Sequence, residues 1–164
     1  MNPSDLPGRD VPFDSLPEVE SERHEALVDL FGRYLMWLRR SNVASTRRLV
    51  EDPDERSKLG TIPRRPFEAA AALSASQRET AIVLAESCAD RLMKSLLHLL
   101  THEGSDLPLG EDRHVRFRLE IGIVADESDG IVERRVLNRG GRRCFYDYWG
   151  RWLNRFGARQ TPGS

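Results

Sequence analysis

From Ser21 onward, Leu27, Leu30, Phe31, Tyr34, Leu35 and Leu38 recur at the i, i+3, i+4, i+7 spacing of one helical face. Met36 and Trp37 widen that stripe. Glu22 and Glu25 stand in its first turn and Arg39 and Arg40 in its last, each favourable to the helix dipole. The pattern predicts a long helix over about residues 21–40. Next, "ASTRRLV" predicts a short helix ahead of Pro53, and "GTIPRRP" an irregular loop, because two prolines stand three residues apart. "FEAAAAL" has high helix propensity, and Ser74 or Ser76 offers an N-cap to the next helix. The longest periodic stretch runs from Gln77 to about His102. In it Ile82, Ala85, Ala89, Leu92, Met93, Leu96, Leu97 and Leu100 converge on one face of a central helix ended by Gly104. Asp90 and Lys94 stand four apart on its polar side.

After the polar loop "GSDLPLGED" the period falls to two. Val115, Phe117, Leu119, Ile121 and Ile123 alternate with His114, Arg116, Arg118, Glu120 and Gly122, the pattern of a half-buried strand. The turn "DESDG" and the run "IVERRVLN" supply its hairpin partner, and Asn138, Gly140 and Gly141 turn the chain again. Two strands alone are marginal, so the hairpin should pack on the helices. Near the C-terminus, "RRCFYDYWGRWLNRFG" places Phe145, Trp149, Trp152, Leu153 and Phe156 on one helical face. Such segregation predicts a helix docked on the core. Gly150 weakens its middle by about 1 kcal/mol and offers a hinge. The fold class expected is α+β: a small helical bundle of two long helices plus shorter ones, a β-hairpin and a C-terminal aromatic helix. Residues 1–20, with four prolines among acids, read as a disordered acidic tail, 21–157 as a single globular domain and 158–164 as a flexible tail.

Composition fits that picture without sharpening it: 164 residues, 39% hydrophobic and 31% charged, suffice for one core without staples. Two cysteines, Cys88 and Cys144, make no disulfide framework, which points to a reducing cytoplasm. The start has neither a basic nor an apolar leader region, and no apolar run approaches the roughly 18 residues of a membrane span, so neither secretion nor membrane insertion is expected.

Charge changes the picture more. Residues 1–30 hold eight acids against Arg9 and Arg23, a net of −6, and residues 130–164 hold eight arginines against Glu133 and Asp147, a net of +6. The two ends are expected to attract each other. Arginine is also this chain's general cation, 23 against two lysines, Lys58 and Lys94.

Candidate chemistry is sparse. His98 and His102 stand one helical turn apart and form the candidate metal pair, with Glu103 or His114 as a third ligand. The glutamate of an HExxH motif is missing, and two histidines at a helix C-terminus suit the dipole without a metal. Cys88 reads as a buried small hydrophobe on the central helix, and Cys144, beside Arg142 and Arg143, as the more reactive thiol. "ADESDG" lacks EF-hand spacing and reads as a turn. No Walker loop, GxGxxG or GxSxG is present, and no cofactor is expected. The candidate binding residues are Arg116, Arg118, Arg134, Arg135, Arg142 and Arg143, with Arg139 alongside, and Tyr146 and Arg151 on the last helix. A pI near 6.4, against values above about 9 for nucleic-acid domains, weighs against a phosphate-binding ribbon. The leading expectation is a non-enzymatic cytoplasmic binding or regulatory module, immunity-, antitoxin- or adaptor-like, whose partner is another protein. The alternative is a nucleic-acid binder using the arginine hairpin and C-terminal helix. Third comes a metal-dependent enzyme using His98 and His102.

Overall fold

The computed structural model describes residues 7, 11–101, 107–109, 113–115, 117–125, 130–139, 141 and 143–157. The tail expected over 158–164, all but Pro7 of residues 1–10 and the helix end expected at Gly104 lie outside them. The described residues form an α+β fold with five α-helices, two of them long, antiparallel β-hairpins and a C-terminal helix carrying an aromatic cluster. Contacts divide the chain into two units, Trp37–Met93 and the remainder.

The Trp37–Met93 unit contains the second half of α1 (Glu20–Glu51), then α2 (Pro53–Ser57), α3 (Thr61–Ala71) and the first part of α4 (Ala75–Thr101). The break expected after Arg40 does not occur. Ser41 and Asn42 remain helical, the Asn42 amide donating to the Leu38 carbonyl at 2.9 Å, and "ASTRRLV" continues α1. Asp52 ends the run and caps α2: its Oδ1 accepts from the backbone of Asp54 at 2.9 Å, while Pro53 occupies the first helical position, where no N–H is needed.

The loop expected at "GTIPRRP" is instead the start of α3. Pro63 falls in the first turn, whose N–H groups have no helical acceptor, so only Pro66 removes a hydrogen bond. Two arginines satisfy carbonyls left over at the preceding helix ends. Arg56 donates to Val50 at 2.6 Å and Leu49 at 3.1 Å, and Arg64 to Leu59 at 2.7 Å and Ser57 at 3.0 Å. Ser74 is the α4 cap, in a reciprocal box with Gln77.

Within this unit α1 and α4 run antiparallel, joined by bidentate ion pairs: Arg39 to Asp90 at 2.5 and 2.8 Å, and Arg47 to Glu79 at 2.7 and 2.9 Å. Asp90 therefore belongs to Arg39, not to Lys94. The apolar face expected on α4 needs the same kind of correction. Ile82 is buried and Met93 half-buried, whereas Ala85, Cys88, Ala89 and Leu92 are exposed. The buried side is turned toward the residues that meet α1.

The other unit holds the first half of α1, the end of α4, the hairpins and α5 (Tyr148–Phe156). Here Leu97 is buried and Leu96 exposed. In place of one long strand over 115–123, two hairpins form: β1 (Leu107–Leu109) with β2 (Arg113–Val115), and β3 (Glu120–Val124) with β4 (Ile131–Val136). Asn138 supplies a reason for the interruption. Its buried amide donates to the carbonyls of Leu100 at 2.7 Å and Phe117 at 3.1 Å, and its Oδ1 accepts from Leu119 N–H at 2.9 Å. The backbone ladder ends with the Leu137 N–H donating to the Leu119 carbonyl at 2.9 Å, and beyond it the Asn138 side chain takes over and ties the strand to the end of α4. In β3 the period of two is kept, Ile121 and Ile123 being half-buried between exposed neighbours.

The aromatic segment closes the core as its pattern predicts. Phe145, Tyr148, Trp149 and Trp152 are buried together with Leu27, Val28, Leu35 and Met36 of α1. Phe145 and Trp152 meet edge to face with centroids 5.8 Å apart, and Phe31 lies 5.8 Å from Phe145 and 6.0 Å from Trp152. Gly32 makes this approach possible, because a Cβ there would run into the Trp152 indole. The segment does not bend at Gly150, which is exposed within α5; the change comes earlier, where a 3-10 turn, Phe145–Asp147, gives way to α-helix.

Candidate functional site

The acidic start of α1 and the basic end of the chain attract as expected, through two networks. In the first, Glu133 of β4 accepts from Arg23 Nε at 3.0 Å and Nη2 at 2.7 Å, and also from Arg135. Arg135 continues to Glu20, with Nη2 to Oε2 at 2.9 Å. Arg23, foremost, and Arg135 hold the Glu133 carboxyl down to about 2, and Glu20 is lowered chiefly by Arg135. In the second, Arg151 of α5 reaches Asp29 at 2.5 Å and Glu25 at 3.3 Å, and Arg155 reaches Asp29 at 2.5 Å. Tyr148 donates its hydroxyl to Glu25; burial first, and that carboxylate second, push the phenol up.

These networks take in several of the candidate binding residues. Arg135 and Arg151 are half-buried within them. Arg118 is exposed and pairs with Glu120 at 2.6 Å, which Arg134 also approaches at 3.9 Å. Arg143 is exposed. Tyr146 is half-buried beside the end of α4: its N–H donates to Thr101 Oγ1 at 2.7 Å, Lys94 lies over its ring at 5.0 Å, and His98 meets it edge-on at 5.3 Å. Arg116, Arg142, His102, His114 as a side chain and Glu103 lie outside the described residues. His98 is exposed on α4, and among the described residues no group of three or more His, Cys, Asp or Glu is placed to hold a metal ion. Cys88, expected in the core, is exposed because it lies off the α1-facing side of α4; Cys144 is exposed too.

Three surface features were not anticipated as such from the sequence, although the first includes candidate arginines. A cleft of about 520 Å³ at the start of α1 is lined by Ser21, His24, Arg134, Arg135 and Arg139 among others. His24 is 8% exposed, and its Nε2 has no hydrogen-bond partner among the described residues. Its place three residues before Leu27, on the buried stripe of α1, was the available signal. A second, apolar cleft of about 330 Å³ lies between α1 and β3, lined by Leu27, Leu30, Phe31, Tyr34, Ile121 and Ile123, with Val11 and Leu16 at its edge. The third feature is the bare apolar side of α4, where Leu84 is 63% and Leu92 71% exposed.

Among the described residues no helix is long and apolar enough to cross a membrane. No protein-family model, curated protein or solved structure matches the chain.

Proposed function

We propose that the protein is a non-enzymatic binding module of the immunity, antitoxin or adaptor kind, acting by covering the surface of another protein with the bare side of α4. One observation carries this reading. Leu84, Cys88 and Leu92 follow one another at four-residue intervals, all exposed, with Ala85 and Ala89 exposed beside them. Side chains so spaced form a continuous ridge. Burying a leucine contributes roughly 1.5–3 kcal/mol, so an apolar ridge left in water marks an interaction surface. The alanines let a second helix approach closely, and a helix-bearing protein is the partner this shape favours. Two free, exposed thiols fit a reducing compartment, which supports a cytoplasmic location.

The alternative, phosphate contacts along an arginine ribbon, has weaker support, since Arg118, Arg134, Arg135 and Arg151 all have carboxylates within ion-pair distance. The test is capture from native lysate by the wild type and by Leu84→Lys/Leu92→Lys. Both sites are exposed, so the variant should keep its circular dichroism and melting temperature. A stoichiometric partner should be recovered with the wild type and lost with the variant. Recovery by both, or by neither, contradicts the reading.

A further inference from the structure

We infer that the cleft at the N-terminus of α1 binds a phosphate monoester, the dianionic head of a small phosphorylated molecule. None of the α4 ridge residues takes part in this second site.

The volume of the cleft, about 520 Å³, lies within the roughly 300–1,000 Å³ of small-molecule sites. Its charge is unbalanced. Among the described residues Glu20 is the only acid lining it, and it is taken up by Arg135, which Glu133 also holds. Among the described residues Arg134 has only the 3.9 Å approach to Glu120, and Arg139 is exposed with no carboxylate partner. Two guanidinium groups are thus left to face a ligand. Each offers a planar fork of donors that matches two oxygens of a phosphate.

The backbone adds to this. Val19, Glu20 and Ser21 border the cleft where a 32-residue helix begins; the Glu22 and Arg23 N–H groups donate to the Val19 carbonyl at 3.0 and 2.8 Å, which leaves those of Glu20 and Ser21 without a helical acceptor. They and the helix dipole favour an anion at this end. The Ser21 hydroxyl is a further donor at the same rim.

His24 is the independent sign. A buried nitrogen without a partner carries its desolvation penalty uncompensated, which a folded protein ordinarily avoids. His24 lines this cleft, is more than nine-tenths buried and has Nε2 unpartnered. Gly141 stands over the ring: a Cβ there would come within 3.2 Å of Nε2 and 3.4 Å of the Tyr148 hydroxyl. A phosphate monoester suits the set better than a carboxylate, because three oxygens can engage Arg134, Arg139 and the helix N-terminus together.

Calorimetric titration of the full chain at fixed ionic strength tests this, with AMP, adenosine and inorganic phosphate as probes and the His24 ring proton followed by NMR. Saturable binding of AMP is expected, with inorganic phosphate giving the same His24 shift at higher concentration and adenosine giving none. Arg139→Ala, at an exposed site, should weaken AMP by about tenfold or more without altering the fold. Arg48→Ala, exposed in the Trp37–Met93 unit, should leave affinity unchanged. The inference is overturned by the absence of saturable binding of AMP and phosphate, by equal binding of adenosine, or by equal affinity in Arg139→Ala. It is equally overturned if a twelve-nucleotide single-stranded RNA binds with steep salt dependence while AMP does not, which would restore the nucleic-acid reading.

Discussion

Single residues decide how α5 meets α1. Trp152 is completely buried, and Gly32 is the position that admits it. Gly32→Ala should cost about 1–3 kcal/mol through overpacking, and Trp152→Ala about 3–5 kcal/mol through the cavity it leaves, both read from urea denaturation midpoints. A near-neutral Gly32→Ala would show that the indole does not rest against α1. Glu133 makes a pH prediction. Its folded pKa of about 2 lies below the ordinary 4.5, so its contribution is fully present above about pH 4.5 and lost as pH falls from there toward 2. Glu133→Gln should lower the midpoint at neutral pH and flatten the loss between pH 4.5 and 2. An unchanged acid profile would mean that the pairing with Arg23 contributes nothing. At this scale the sequence was a partial guide: Phe145, Trp149 and Trp152 were legible as buried from their spacing. Tyr148 was not, because its hydroxyl marks it as polar until Glu25 is seen to accept from it.

At the scale of elements, helices with a strong 3.6-residue period were legible and their ends less so. α1 extends beyond Arg40 because a serine and an asparagine lower helix propensity by only tenths of a kcal/mol, well short of what is needed to stop a helix already propagating. α3 was masked by its prolines, one of which costs nothing in the first turn. β1 and β2 are three residues each, too short for a period of two to register. The interruption before β3 depends on Asn138, nineteen residues from the Leu119 N–H it serves. Asn138→Leu strands that N–H and the carbonyls of Leu100 and Phe117, so it should destabilise by roughly 1–3 kcal/mol. Hydrogen exchange at Leu119 should accelerate. An unchanged exchange rate there would remove Asn138 from this role.

For the whole molecule, charge asymmetry between the chain ends was plain in the sequence and is realised in contacts among Glu20, Glu25, Asp29, Arg135, Arg151 and Arg155. What could not be read was which arc of an apolar helix its neighbours cover. Periodicity locates hydrophobic side chains on α4 but not the limit of the α1 contact, so Leu92 and Cys88 looked interior. That bare arc carries the proposal of a protein-binding module, and Cys88 lies within it as a natural probe. The most direct measurement is the alkylation rate of Cys88 in the isolated protein and in its complex recovered from native lysate, with Cys144 as the internal reference. The account predicts strong protection of Cys88 in the complex while Cys144 reacts at its free rate; equal reactivity of Cys88 in the two states would contradict it.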